Sequence, residues 1–347
     1  MFENNRRTEL DSLGEFGLLR ELETHFAPKG TQVVKGIGDD AAVIRQQEKC
    51  LLVSTDHAIE GVHFDLAFHP LKHLGYKVVA AAVSDICAMN AKPTQILVNI
   101  GLSNRFSLEA VEELYAGIQL ACDKYEIDLV GGDTSASRSG LFLNVTAVGI
   151  ADENKITYRS GAKPNDLLVI SGDIGGAYMG LQILEREKKV FLEHPEMQPD
   201  LEKYDYIVGR QLKPEARLDV VKLLNELKII PTSMIDVSDG VASELHHLGL
   251  RSKVGFDIYE NKLPIDPQTV DTALSFQLNP TIAALNGGED FELLFTVDQQ
   301  HYDAIKNHPD LTIIGHVTSQ EGKYNLNTAA GNTFDIQAQG WTNYSVK

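Results

Sequence analysis

Six aspartates in this chain fall in four short motifs that set carboxylates among glycine, serine or threonine at the edge of an apolar or glycine-rich run, a setting suited to holding hard cations. Asp39 and Asp40 sit in GIGDDAAV (36–43), Asp56 closes LLVSTD (51–56), Asp133 closes IDLVGGD (127–133), and Asp236 and Asp239 sit in MIDVSDG (234–240). Short carboxylates bind divalent cations with little side-chain entropy to lose, and glycine lets the backbone approach a phosphate closely. Places where a sheet edge meets a loop are the usual ligand sites of α/β folds. One such turn is equally a backbone-bonding device; the recurrence along one chain points to a shared site.

Asp85 is informative for another reason. Helical apolar spacing runs through Leu71, Leu74, Val78, Ala82 and Met89, and Asp85 falls on or beside that stripe. A carboxylate there must be paired, protonated or bound to metal, because an isolated buried charge is very costly. It reads as a hydrogen-bonded helix-end carboxylate or as a metal ligand shared with strand-end aspartates. The chain has no GxxxxGK[ST] loop and no GxGxxG after a strand. The glycine-rich SGDIGGAYMG (171–180) fits neither fingerprint and reads as tight packing. Phosphates here would be held by cations and scattered backbone amides.

The elements that must position these residues alternate. Predicted in the first half are a helix at 12–26, a strand at 50–55, a helix at 71–90, a strand near 94–102, a helix near 107–125, and strands near 127–131 and 141–150. A boundary is expected near 151–160. The second half predicts helices near 175–188 and 214–228, a strand near 232–237, and a helix over 240–252. A strand at 254–259, a helix near 267–276 and strands at 291–297 and 311–317 follow. The polar stretch 188–206 reads as a surface excursion. Such alternation predicts two α/β layers, and a length of 347 residues suits two domains.

Composition narrows the classes. The formal net charge of −18 argues against a nucleic-acid binder, which needs basic surface to displace counterions. No apolar run is long enough to span a bilayer. The N-terminus, MFENNRRTEL, lacks the apolar stretch of a secretory signal. Cys50, Cys87 and Cys122 are widely spaced, without metal-ligand or paired spacing, so reduced thiols in a cytoplasmic protein are expected.

Taken in order, GIGDDAAV (36–43), STD with EGVHF (54–56, 60–64), AVSDICAMNAKP (82–93), LVGGDTSAS (129–137), TYRSGAKPND (157–166), DVSDGVASEL (236–245) and GGEDFELLFT (287–296) resemble the thiamine-monophosphate kinase family. The resemblance runs from about residue 13 to the C-terminal GWTNYS. EGVHF with STD, RSGAKP and GGEDFEL separates this family from related ATP users: aminoimidazole ribonucleotide synthetase, selenophosphate synthetase and hydrogenase maturation proteins. The Cys or selenocysteine with Lys that marks selenophosphate synthetase near its N-terminus is not seen here.

The resemblance implies an α/β (α+β) fold of two domains. Residues 1–152 would bind ATP and magnesium and pair across a homodimer into a β-barrel; residues 153–347 would cover the site. It also implies magnesium held by Asp40, Ser54, Thr55, Asp56, Asp85, Asp133, Asp236 and Asp239, and ATP contacted by Gly132, Asp133, Arg159 and Ser238. Thiamine monophosphate would meet His63, Glu289 and Trp341. His57 and Ala58, between STD and EGVHF, depart from the common pattern.

The chemistry agrees. Phosphoryl transfer needs alignment and charge neutralisation more than covalent help, and a planar guanidinium at Arg159 suits a phosphate oxygen. The lone tryptophan, Trp341, could offer a π face to a cationic or flat ring. The acceptor is itself a phosphate, already anionic, so no strong general base is expected.

Overall fold

A computed structural model describes residues 20, 22–24 and 30–338. The predicted 12–26 helix is seen only at residues 20 and 22–24, which are helical; Trp341 and GWTNYS lie outside the described residues.

The first half builds a six-stranded sheet. Its strands are β1 (Val33–Lys35), β2 (Ala42–Gln46), β3 (Lys49–Ile59), β4 (Lys92–Leu102), β5 (Asp128–Ala136) and β6 (Phe142–Ala151), in the order β1-β2-β3-β6-β4-β5. All neighbours are antiparallel except β4 and β5. Between β3 and β4 runs α1 (Leu71–Ala88), and between β4 and β5 runs α2 (Leu108–Tyr125). The Ser107 side chain caps α2 by accepting from the Ala110 amide. The two helices cross closely at Gly75 and Gly117, where an added Cβ would lie 2.0 Å from the Leu114 carbonyl oxygen and 1.9 Å from that of Lys72.

Alternation along the strands sorts the faces. Cys50, Leu52 and Ser54 of β3, Ile96, Val98 and Ile100 of β4, and Leu143, Val145 and Ala147 of β6 are buried. Their intervening neighbours, among them Leu51, Val53, Leu97 and Val148, are only partly covered. Within one chain this sheet is open, with β1 and β5 at its edges.

The second half forms a seven-stranded sheet of β7 (Leu167–Ser171), β8 (Ser233–Asp236), β9 (Gly255–Tyr259), β10 (Leu293–Val297), β11 (Leu311–Thr318), β12 (Tyr324–Asn327) and β13 (Thr333–Asp335), ordered β13-β12-β9-β11-β7-β10-β8. Helices α3 (Gly176–Glu193), α4 (Asp205–Leu212) and α5 (Leu218–Glu226) lie between β7 and β8. Then come α6 (Val241–Ser252), α7 (Pro267–Ser275), α8 (Pro280–Asn286) and α9 (Tyr302–Ile305). Asp266 and Asn279 cap α7 and α8, each ahead of a proline at the first helical position. Antiparallel pairing predominates, so the fold is mixed α and β rather than doubly wound.

The α1 helix packs on β3, β4 and β6 and also on β8 of the other sheet. One apolar cluster therefore runs from Leu52, Val98 and Val145 through Val79 and Val83 to Met234, Leu293 and Phe295. Among the described residues no helix is long and apolar enough to cross a membrane.

Candidate active site

Three carboxylates converge from separate elements: Asp40 from the turn before β2, Asp85 from the last turn of α1 and Asp236 from the end of β8. One oxygen of each lies within 4.8 Å of the others. The Ser54 hydroxyl donates to Asp85, and Ser84 Oγ donates to Asp236 Oδ2 at 2.6 Å. Arg159 bonds Asp40 Oδ1 through Nη2 at 2.6 Å, while its backbone amide donates to Asp39 Oδ1 at 3.1 Å. The other Asp40 oxygen, Oδ2, is buried with no hydrogen-bond partner.

Crowded, dehydrated carboxylates resist ionisation. Burial, with the charges of Asp236, Asp56 and Asp40, pushes the Asp85 carboxyl well above its ordinary range. Burial, then the neighbouring Asp40, pushes Asp236 up to about 7 and Asp39 to about 6. A divalent cation would relieve this repulsion. The all-oxygen donor set and the unpartnered Asp40 Oδ2 fit magnesium.

The other predicted residues fall in different places. Ser54 is buried behind Asp85, and the Asp56 charge reaches Asp85. Thr55 points to the opposite face of β3, where its hydroxyl meets Asn144 and Thr146. Asp56 and Asp133, which the sequence pattern puts at strand ends, lie inside strands instead. Asp56 is interior to β3, which pairs with β6 as far as Ile59, and Asp133 is interior to β5, which continues to Ala136.

The GGD run, read as a turn, is in fact the middle of an edge strand. Gly132 makes this possible: at φ +155 its Cα passes so close to β4 that an added Cβ would lie 1.8 Å from the Val98 carbonyl oxygen. Asp133 sits beside Asn99, whose amide donates to Asn144 on the face away from α1. Within one chain, Gly132 and Asp133 are apart from the carboxylate trio.

The β8–β10 ladder continues beyond the strands and aligns two predicted loops. Val237 N donates to Glu292 O at 2.7 Å, Phe291 N to Val237 O at 2.9 Å and Glu289 N to Ser238 O at 2.7 Å. Ser238 and Asp239 thus run beside Glu289. The Asp239 amide donates to Glu244 Oε1 at 3.0 Å, and burial, then the Asp239 charge, raises the Glu244 carboxyl well above its ordinary range. Glu289 Oε1 lies 3.0 Å from Lys77 Nζ, and Oε2 accepts from Gln211 Nε2 at 2.8 Å. His63 Nδ1 accepts from the Ile59 amide at 3.1 Å. Burial, then His57, lowers the His63 pKa, against an opposing pull from Glu289.

Sequence reasoning missed Ser84, Lys77, Gln211 and Glu244. Ser84 directly precedes Asp85, and Lys77 lies seven residues earlier on the same stripe of α1, so helical spacing could have found both. Gln211 lies on α4, which begins within the stretch read as an excursion. SGDIGGAYMG packs as expected: the Asp290 carboxylate accepts from the Gly175 and Ala177 amides at the start of α3.

Residues 38–151 match the family described as AIR synthase related protein, N-terminal domain, which places the carboxylate-bearing sheet in a class of related scaffolds. Thiamine-monophosphate kinase of Bacillus subtilis is 33% identical over 313 residues, covering 88% of this chain and 91% of that one. The Aquifex aeolicus enzyme of the same name is 32% identical over 316 residues, covering 91% and 95%. The solved structure of AaThiL complexed with AMPPCP and TMP matches with a TM-score of 0.82 at 31% identity, covering 97% of this chain and 99% of that one. The chain belongs to the thiamine-monophosphate kinase family.

Proposed function

We propose that this protein transfers the terminal phosphoryl group of ATP to thiamine monophosphate, giving thiamine diphosphate and ADP. The observation that carries this is the convergence of Asp40, Asp85 and Asp236 on one buried point, in a chain of this family. Magnesium would be held by Asp40, Ser54, Thr55, Asp56, Asp85, Asp133, Asp236 and Asp239, with Thr55 contributing its backbone carbonyl because its hydroxyl turns away. Bound there, the ions would supply positive charge to the phosphate oxygens that carry negative charge during transfer.

The chain's own residues orient the two substrates. Arg159, Gly132, Asp133 and Ser238 contact ATP; His63, Glu289 and Trp341 contact thiamine monophosphate. An oxygen of the acceptor phosphate forms a bond to the terminal phosphorus as the bond to the bridging oxygen breaks, and ADP leaves. The acceptor oxygen is already anionic, so no side chain has to take a proton and no phosphoenzyme forms.

The open N-terminal sheet supports the dimeric part of this reading. Edge strand β5 exposes Leu129 and Val130, and the face away from α1 carries half-covered apolar residues. A second copy closing this sheet into a barrel would put Gly132 and Asp133 at the seam between protomers. Residues 1–152 would then form the ATP-binding and pairing domain, and 153–347 the domain covering the site. Three buried free cysteines agree with a cytoplasmic protein.

The test is incubation with ATP, magnesium and thiamine monophosphate, followed by separation of the products. Equal amounts of ADP and thiamine diphosphate are expected. Turnover of other acceptors in a panel, with no diphosphate from thiamine monophosphate, would overturn the assignment.

A further inference from the structure

Lys77 carries its charge almost out of solvent, with a side chain 6% exposed. A buried ammonium persists only where it is paired and hydrogen-bonded. Its Nζ lies 3.0 Å from Glu289 Oε1 and donates to the Gln211 carbonyl at 3.2 Å. Gln211 takes the other side of the same carboxylate through Nε2. Glu289 is thus held at both oxygens, by α1 of one half and α4 of the other. Its backbone sits at φ 65, a left-handed conformation that a glutamate keeps only where its surroundings hold it. The side chain remains 31% exposed, and each oxygen keeps a lone pair for a further donor.

A carboxylate gripped in this way cannot swing away. It also stands between the Lys77 charge and any cation that approaches from the open side. Seven residues along α1, Ser84 makes the corresponding contact with Asp236. One stripe of this helix therefore supports a carboxylate at the end of β8 and another on the loop that runs beside the segment after it.

We propose that Lys77 and Gln211 are positioning residues that aim the Glu289 carboxylate at the cationic, amine-bearing acceptor, so that they set acceptor affinity rather than the rate of phosphoryl transfer. This rests on the reading of Glu289 as an acceptor contact.

The test is steady-state kinetics of the full-length enzyme with Lys77→Met, Lys77→Arg, Gln211→Met and Glu289→Gln. Lys77→Met and Gln211→Met should each raise KM for thiamine monophosphate about ten-fold, with kcat and KM for ATP within about two-fold of wild type. Lys77→Arg should recover most of the loss. In a Glu289→Gln background, Lys77→Met should add less than about two-fold, because the two act as one unit. If Lys77→Met fails to fold, Gln211→Met, which keeps the carbonyl that Lys77 uses, still decides the matter. An active wild type whose variants retain its KM, or whose variants lose kcat and affinity for both substrates alike, overturns this proposal alone. A wild type that makes no thiamine diphosphate overturns the functional reading and this proposal with it.

Discussion

The Arg159 guanidinium lies against one oxygen of Asp40, with Nε at 3.1 Å and Nη2 at 2.6 Å from Oδ1. It is the nearest counter-charge to a group of carboxylates that otherwise repel one another. Burial alone would lower the arginine pKa; Asp40, Glu244 and Asp39 outweigh it and raise it. Removing one partner of a buried pair costs about 3 kcal/mol or more. Arg159→Met should therefore lower the melting temperature of metal-free protein, and added magnesium should raise it by more than in wild type. Equal magnesium-dependent shifts in thermal melts would refute this role.

Asp85→Asn separates function from stability. The Asp85 carboxyl is held against ionisation by burial and by three neighbouring acids, so a neutral amide relieves repulsion. Losing a ligand that helps neutralise phosphate charge should cut kcat about 100-fold or more. The expected result is a fold retained by circular dichroism, an unchanged or higher metal-free melting temperature, and little turnover. Full activity would end Asp85's assignment.

Metal removal should change how stability depends on pH. Unfolded aspartates titrate near 3.8, whereas Asp39 and Asp236 titrate at about 6 and 7 when folded without metal, and Asp85 lies well above 3.8. Between these values the folded state holds more protons than the unfolded one. Their contribution is thus fully present below about pH 4 and lost as pH rises through 6 and 7. His69 and His247 oppose this: burial, helped by Lys77 and Arg159 respectively, lowers each to about 3, so their contribution grows with pH up to about 6.5. They act equally with or without metal and cancel in a difference. Urea denaturation at about pH 5 and 7.5, in chelator and in magnesium, should show magnesium stabilising more at the higher pH. A stabilisation independent of pH would argue against cation binding by these carboxylates.

Gly132→Ala tests the edge strand. Its Cβ would collide with the Val98 carbonyl, and the strand would have to leave β4 to make room. A loss of about 1–3 kcal/mol is expected, with weaker ATP binding measured by calorimetry. Wild-type stability and affinity would show that β5 does not need this close approach.

Much of the site was legible because carboxylates beside small residues are chemically conspicuous. Asp85 was readable from its place on an apolar stripe, a conflict that a site resolves. The sequence pattern makes the strands carrying Asp56 and Asp133 too short, since Gly and Asp are poor strand formers locally and pairing with β6 and β4 overrides that preference. The 205–212 helix gave no clear periodic signal, so Gln211 was missed. The helix that begins at Pro280 did carry its Asn-Pro start and could have been read. Sequence spacing could not show that Arg159 bonds Asp40 across the fold.

The apolar interior shared through α1 has a mechanical consequence. Among the described residues one buried apolar cluster joins the two halves along this helix, so swinging them apart like a jaw would tear a packed interior that resists such deformation. Passage of nucleotide and product then falls to the surface segments rimming the carboxylates, and heating should melt both sheets in a single cooperative step.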